Sequence, residues 1–154
     1  MLRCEKIYNH PLYKECLKRI NEKEKGRRFC LHGLEHSLDT ARIGYIRILE
    51  NDLKIDKELF YAAALLHDSG RYSGKPHHEA SADMASKIMP ECGFTDAETD
   101  EVCRAILCHR TGEDASLLSS VLYDADKKSR LCFCCDAADD CYWPEGKRNN
   151  IFKS

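Results

Sequence analysis

Proline and glycine are scarce in this 154-residue chain, four and eight respectively. So few breakers leave long stretches free to be helical. No apolar run approaches the roughly 20 residues that span a bilayer; the run Tyr61 to Leu66 falls far short. The opening residues, Met1-Leu2-Arg3-Cys4-Glu5-Lys6, lack the apolar stretch of an export signal. A cytoplasmic protein without a membrane partner is therefore expected. Neither charge sign dominates: 24 Lys and Arg stand against 26 Asp and Glu, for a net charge of -2. That balance gives no basic footprint for nucleic acid.

What is present reads as one globular domain. The chain is 43% hydrophobic and 32% charged, and its length suits a single core. Ten cysteines are many. A secreted disulfide scaffold would be shorter, helix-poor and preceded by a signal, so reduced thiols are expected. Apolar residues recur at helical spacing. A helix starts near Asn9 or His10, with Pro11 in its first turn, and Gly26 ends it. Others are expected over about 33 to 50, 57 to 68, 81 to 89 with Pro90 as the stop, 96 to 108, and 116 to 128. The fold class expected is all-α, a bundle of about 5–7 helices. The division is a main unit over 1–130 and a short cysteine-rich tail over 131–154, part of the same globular body.

The pair His67-Asp68 is the chemical focus. It comes directly after the run Ala62-Ala63-Ala64-Leu65-Leu66, which is apolar nearly all round and reads as a buried helix. A carboxylate at the end of such a helix is costly unless paired or metal-bound. Nitrogen and oxygen donors together suit Mn, Fe, Ni, Co or Zn better than Ca. On its own the dipeptide reads as a helix cap beside a surface histidine. It has company, however: His36 lies 31 residues earlier, Asp124 lies 57 residues later, and His109 comes after Ala105-Ile106-Leu107.

The ordered pieces His36-Ser37-Leu38-Asp39, Ala64-Leu65-Leu66-His67-Asp68-Ser69-Gly70-Arg71, Ile106-Leu107-Cys108-His109 and Asp124-Ala125-Asp126-Lys127 resemble the HD-domain phosphohydrolase superfamily. The resemblance spans about residues 10 to 130. It implies a compact helical bundle in which His36, His67, Asp68 and Asp124 bind a divalent transition metal, and in which bound water attacks phosphorus. Asp68 would touch both metal and nucleophile. The family often carries Lys after His-Asp-x-Gly; here Arg71 stands there, which fits phosphate contact and argues against proton donation. Branches with two metals add histidines. His77 resembles one such position and His109 the next, so one reading gives one ion and another gives two. The bland alternative makes His77 and His78 a solvated loop pair and His109 a cap. His32 either faces the substrate or is a partly buried polar residue. Asp126 reads as part of a solvated face.

The tail offers another cluster. Cys132-x-x-Cys135 has zinc-turn spacing, and Cys141 stands six positions later. A structural zinc, an iron–sulfur cluster and free thiols all remain open. The leading function is hydrolysis of a small phosphomonoester or phosphodiester, a nucleotide among the candidates, with Asp68 and Arg71 as the catalytic pair. The alternatives are a non-catalytic metal-containing sensing module and a tail that acts as a redox switch or a partner-binding knuckle.

Overall fold

The computed structural model describes residues 2–110 and 116–150. Among them are seven α-helices: α1 (Arg3–Asn9), α2 (Pro11–Lys23), α3 (Leu34–Glu50), α4 (Lys57–Leu66), α5 (His77–Glu91), α6 (Asp96–Cys108) and α7 (Leu117–Lys128). Three 3-10 turns come after α7, at Cys132–Cys134, Ala138–Asp140 and Glu145–Lys147. The described residues include no strand, so the all-α expectation holds. No described helix is long and apolar enough to cross a membrane.

Helix α4 is the axis of the bundle. Its residues Leu59, Phe60 and Ala62 to Leu66 are all buried, as its all-round apolar sequence requires. It packs against α1, α3, α5, α6 and α7. The cap residue Asp56 accepts from Leu59 N at 3.0 Å and starts α4. Thr95 and Glu98 form a capping box that starts α6. The helices therefore begin where local chemistry directs.

Two boundaries depart from the sequence reading. Helix α1 is not anticipated by it: at seven residues, with Ile7 alone buried, it has too little apolar pattern to read. It is held instead by Arg3, whose guanidinium reaches Glu58 at 3.0 Å and Glu98 at 2.7 Å and lies over the Phe94 ring. Helix α5 starts four residues earlier than expected, at His77, and continues one residue past Pro90. Proline in the last turn breaks the ladder only where it is ending anyway.

Gly70 fixes how α5 meets the end of α4. Its N–H donates to Ser81 Oγ at 2.9 Å. A Cβ added there would lie 2.5 Å from the Ala80 carbonyl carbon and from Ser81 N, backbone atoms that cannot move aside alone. Gly70→Ala is expected to lower stability by about 1–3 kcal/mol through overpacking. A chemical-denaturation midpoint unchanged from the parent would refute this close approach.

Candidate metal centre

The end of α4 delivers His67 and Asp68 into the middle of the bundle, where they are 0% and 3% exposed. Around them gather His36 from α3, His77 from the first turn of α5, His109 just after α6, and Asp126 from α7. Two groups have donor atoms all within 4.8 Å of one another: His36, His67 and Asp68, and Asp68, His77 and His109. Asp68 belongs to both. Its Oδ2 lies 3.6 Å from His36 Nε2 and 3.3 Å from His67 Nε2. Its Oδ1 lies 3.4 Å from His77 Nε2 and 3.8 Å from His109 Nε2. Asp126 Oδ1 completes the first group, 3.3 Å from His36 Nε2 and 3.8 Å from His67 Nε2.

The other nitrogen of each ring explains why the Nε2 atoms converge. His67 Nδ1 donates to Ala64 O at 2.8 Å, and His109 Nδ1 donates to Ile106 O. Ser129 Oγ gives its own proton to Asp126 O at 2.8 Å, so it accepts from His36 Nδ1 at 3.1 Å. Each of these contacts places the proton on Nδ1 and leaves a lone pair on Nε2. The lone pairs then face one another: His36 and His67 Nε2 are 3.2 Å apart, and His77 and His109 Nε2 are 3.3 Å apart. Asp68 Oδ1 is buried with no hydrogen-bond partner among the described residues. Acceptors packed against acceptors call for cations, and a mixed set of imidazoles and carboxylates suits divalent transition metals. The donor set therefore fits one ion at His36, His67, Asp68 and Asp126, and a second at Asp68, His77 and His109, with Asp68 between them.

Without an ion, protons must balance the carboxylates. Burial works against charge on His67, but Asp68 and then Asp126 outweigh it and push its pKa to about 10. Burial would likewise raise both carboxyls, yet the opposing imidazoles hold Asp68 and Asp126 well below the ordinary range. The second group behaves differently. Burial brings His77 down to about 4, and burial together with His67 brings His109 down to about 3.

Asp124 is a correction. The sequence reading gives it the fourth position, with Asp126 on a solvated face. Residues two apart on a helix point about 200° apart. On α7 it is Asp126 that turns inward, 4% exposed, beside the buried Leu122 and Ala125. Asp124 turns away and pairs with Arg47 and, at 3.2 Å, with Lys128. The buried stripe Leu118, Val121, Leu122 and Ala125 carries the signal, since Asp126 lies four residues after Leu122.

Arg71 lies at the rim. It is 3.7 Å from Asp68 Oδ1 and 3.5 Å from Glu24 Oε1. Glu24, at the end of α2, is a site residue that the sequence reading misses. It accepts from His32 Nδ1 at 2.6 Å and from His32 N at 2.8 Å, and so holds both His32 and Arg71 at the cavity. That cavity, about 400 Å³, opens over Asp68, His77, His109 and Asp126.

Of the three readings left open for the tail, free thiols fit the described residues. No disulfide joins any two cysteines, and Cys132, Cys135 and Cys141 form no convergent donor group among the described residues. Hydrogen bonds hold this segment instead. Asn149 Nδ2 donates to the carbonyls of Lys127, Lys128 and Arg130, closing the end of α7, while Arg148 donates to those of Ala138, Cys141 and Trp143. Asn149 is accordingly buried, although the stretch around it is polar.

Two measurements test this centre. Asp126→Ala is expected to weaken metal binding by at least roughly 100-fold, as loss of a ligand should exceed loss of an outer partner. Asp124→Ala should leave it within about twofold, as an exposed-face change does. Metal content by elemental analysis separates them, and equal losses would reject the assignment of Asp126. Because His67 holds a proton to about pH 10 in the absence of metal, an ion must displace it. Uptake at pH 7 should release about one proton and weaken as pH falls. Calorimetry in two buffers of different ionisation enthalpy reads this number directly, and zero release would contradict it.

A model of the HD domain matches residues 33–142. An uncharacterised protein of Clostridium beijerinckii is 37% identical over 147 residues, covering 93% of each chain. A bifunctional uridylyltransferase/uridylyl-removing enzyme of Gluconobacter oxydans is 43% identical over 61 residues, which is 40% of this chain and 6% of that one. A crystal structure of a predicted HD superfamily hydrolase from an uncultured Thermotogales bacterium superposes with a TM-score of 0.64 at 28% identity, covering 88% of this chain and 80% of the other.

Proposed function

The chain belongs to the HD-domain family, and from that footing we propose that it is a metal-dependent phosphohydrolase acting on a small phosphoester, a nucleotide among the candidates. The observation that carries this reading is the bridging position of Asp68, one oxygen toward each pair of imidazoles. His36, His67, Asp68 and Asp126 would hold one divalent ion, and Asp68, His77 and His109 a second. Such ions acidify water and draw charge from phosphoryl oxygens.

The protein's own groups do the rest. Burial of Asp68 and Asp126 keeps bulk water away from the reacting centre and strengthens every charge interaction there. Arg71 offers a planar fork to phosphoryl oxygens and remains charged throughout, so it stabilises charge and donates no proton. Glu24 aims that fork. With Nδ1 donating to Glu24, His32 presents the Nε2 lone pair at the cavity wall as an acceptor for a water or substrate hydroxyl. A 61-residue likeness to an enzyme named for uridylyl removal supports a nucleotide as part of the substrate.

Asp68→Ala is expected to abolish hydrolysis of p-nitrophenyl phosphate assayed with Mn, Ni or Co, with the helical circular dichroism retained. Arg71→Lys keeps the charge but loses the fork, and should cost roughly 10- to 100-fold in kcat/KM. Metal-loaded protein that turns over no phosphoester across a nucleotide panel would reject this function in favour of a non-catalytic sensing role.

A further inference from the structure

The metal centre does not account for the outer wall of its cavity. Five cationic side chains line that cavity, Arg27, Arg71, Arg110, Lys127 and Arg130, against two carboxylates, Asp68 and Asp126. Arg71 and Lys127 have carboxylate partners in Asp68, Glu24 and Asp126. Arg27, Arg110 and Arg130 pair with no carboxylate among the described residues. Three guanidinium groups around one cavity repel each other, and the cation-demanding centre beneath them does not relieve this. Divalent ions there would more than balance Asp68 and Asp126.

The wall is firmly built. The segment after α7 is tied across the mouth to the loop before α3 by the Arg28–Asp140 ion pair at 2.9 Å and by the edge-on rings of Phe29 and Tyr142, 6.3 Å apart. Arg148 and Asn149 clamp it from behind. Arg130 lies over Trp143, its guanidinium carbon 3.6 Å from the ring centroid, and this cation–π contact steadies it at the wall. Arg27 Nε donates to Cys30 O at 3.0 Å, which steadies the guanidinium and leaves its terminal nitrogens available. A cavity of about 400 Å³ is also larger than one phosphate at the metal centre would fill.

We propose that Arg27, Arg110 and Arg130 form a second phosphate subsite, so that the substrate carries at least two phosphate groups, one at the metal centre and another against this outer wall. The proposal deepens the phosphohydrolase reading and rests on it for the placement of the first phosphate. It makes the wall built from the loop before α3, the end of α6 and the segment after α7 the specificity element of the site. Charge-assisted, bidentate contacts are what guanidinium groups supply to phosphate.

Trp143 is the only tryptophan in the chain and reports directly on this wall. Metal-loaded protein is titrated with adenosine monophosphate and with α,β-methylene adenosine diphosphate, and Trp143 fluorescence is followed. The expected result is at least tenfold tighter binding of the diphosphate analogue, with metal content unchanged after the titration. In the Arg27→Ala/Arg130→Ala double variant, read by calorimetry because Arg130 touches Trp143, the two ligands should bind within twofold of each other and the monophosphate should bind as in the parent. Should the double variant fail to fold, Arg27→Ala alone, on an exposed loop, should lose at least threefold of the preference. Equal affinities in the parent protein, or a preference that survives the substitutions, would overturn the subsite. Hydrolysis of p-nitrophenyl phosphate with no diphosphate preference would sink this inference alone. A preference without hydrolysis of any phosphoester would sink the enzymatic reading and leave the subsite standing.

Discussion

Lone pairs forced to face one another are the constraint on which this molecule turns. His36 and His67 present Nε2 atoms 3.2 Å apart, and His77 and His109 do so at 3.3 Å. One proton can bridge two such nitrogens, but the buried Asp68 Oδ1 beside the second pair, without a hydrogen bond among the described residues, shows that protons alone do not satisfy the group. The arrangement is not a failure of packing. Three of the rings, those of His67, His109 and His36, are locked by a contact at Nδ1 with Ala64 O, Ile106 O and Ser129 Oγ respectively. Two of those acceptors are carbonyls in the last turns of α4 and α6, where the helical ladder is ending. Helix termination therefore supplies the orientation, and the orientation supplies the charge problem that a divalent ion resolves. Buried α4 is the element that makes this possible: only a helix covered on all sides carries its end residues so far from water.

The same logic shows which parts of the molecule are readable in the sequence. The run preceding His67-Asp68 is so uniformly apolar that its burial, and with it the burial of the His-Asp pair at its end, can be read directly. His36 is placed by the order of the pieces that resemble the family, while for His77 and His109 that order leaves a ligand and a loop or cap residue both open. The last carboxylate cannot be placed by order alone. Asp124 and Asp126 are both acidic and two residues apart, and order says nothing about which way each points. The helical phase of Leu118, Leu122 and Ala125 resolves it, since Asp126 shares their buried side and Asp124 pairs outward with Arg47. Helix α1 and Glu24 escape for another reason: their value lies in contacts with residues far along the chain, Arg3 with Glu58 and Glu98, Glu24 with Arg71, and no local pattern announces such partners.

The cysteines invite a metal reading from spacing, and the structure shows why spacing is insufficient. Cys132 opens a 3-10 turn that Cys135 follows, as in a zinc turn, but among the described residues no third donor lies within 4.8 Å of both thiols. The segment is fixed instead by two polar side chains, Arg148 and Asn149, acting on main-chain carbonyls. Asn149 takes the carbonyls left open at the end of α7, and so joins the tail to the helix that carries Asp126. A segment with little core of its own is thereby made part of the cavity wall without a cross-link.

The centre and part of the wall above it consequently come from different stretches of this chain. The histidines and carboxylates of the centre all fall within residues 33–142, the stretch shared with the family. Glu24, Arg27, Phe29 and His32 lie before it, and Trp143, Arg148 and Asn149 lie after it. Apart from His32, whose ring meets that of His36 edge-on with centroids 5.4 Å apart, these residues do not touch the imidazoles of the centre. They hold Arg71, line the mouth, and tie its two sides together. In this protein the flanks help bring guanidinium groups in excess of carboxylates to the mouth, and that excess positive charge favours an anionic ligand above the centre.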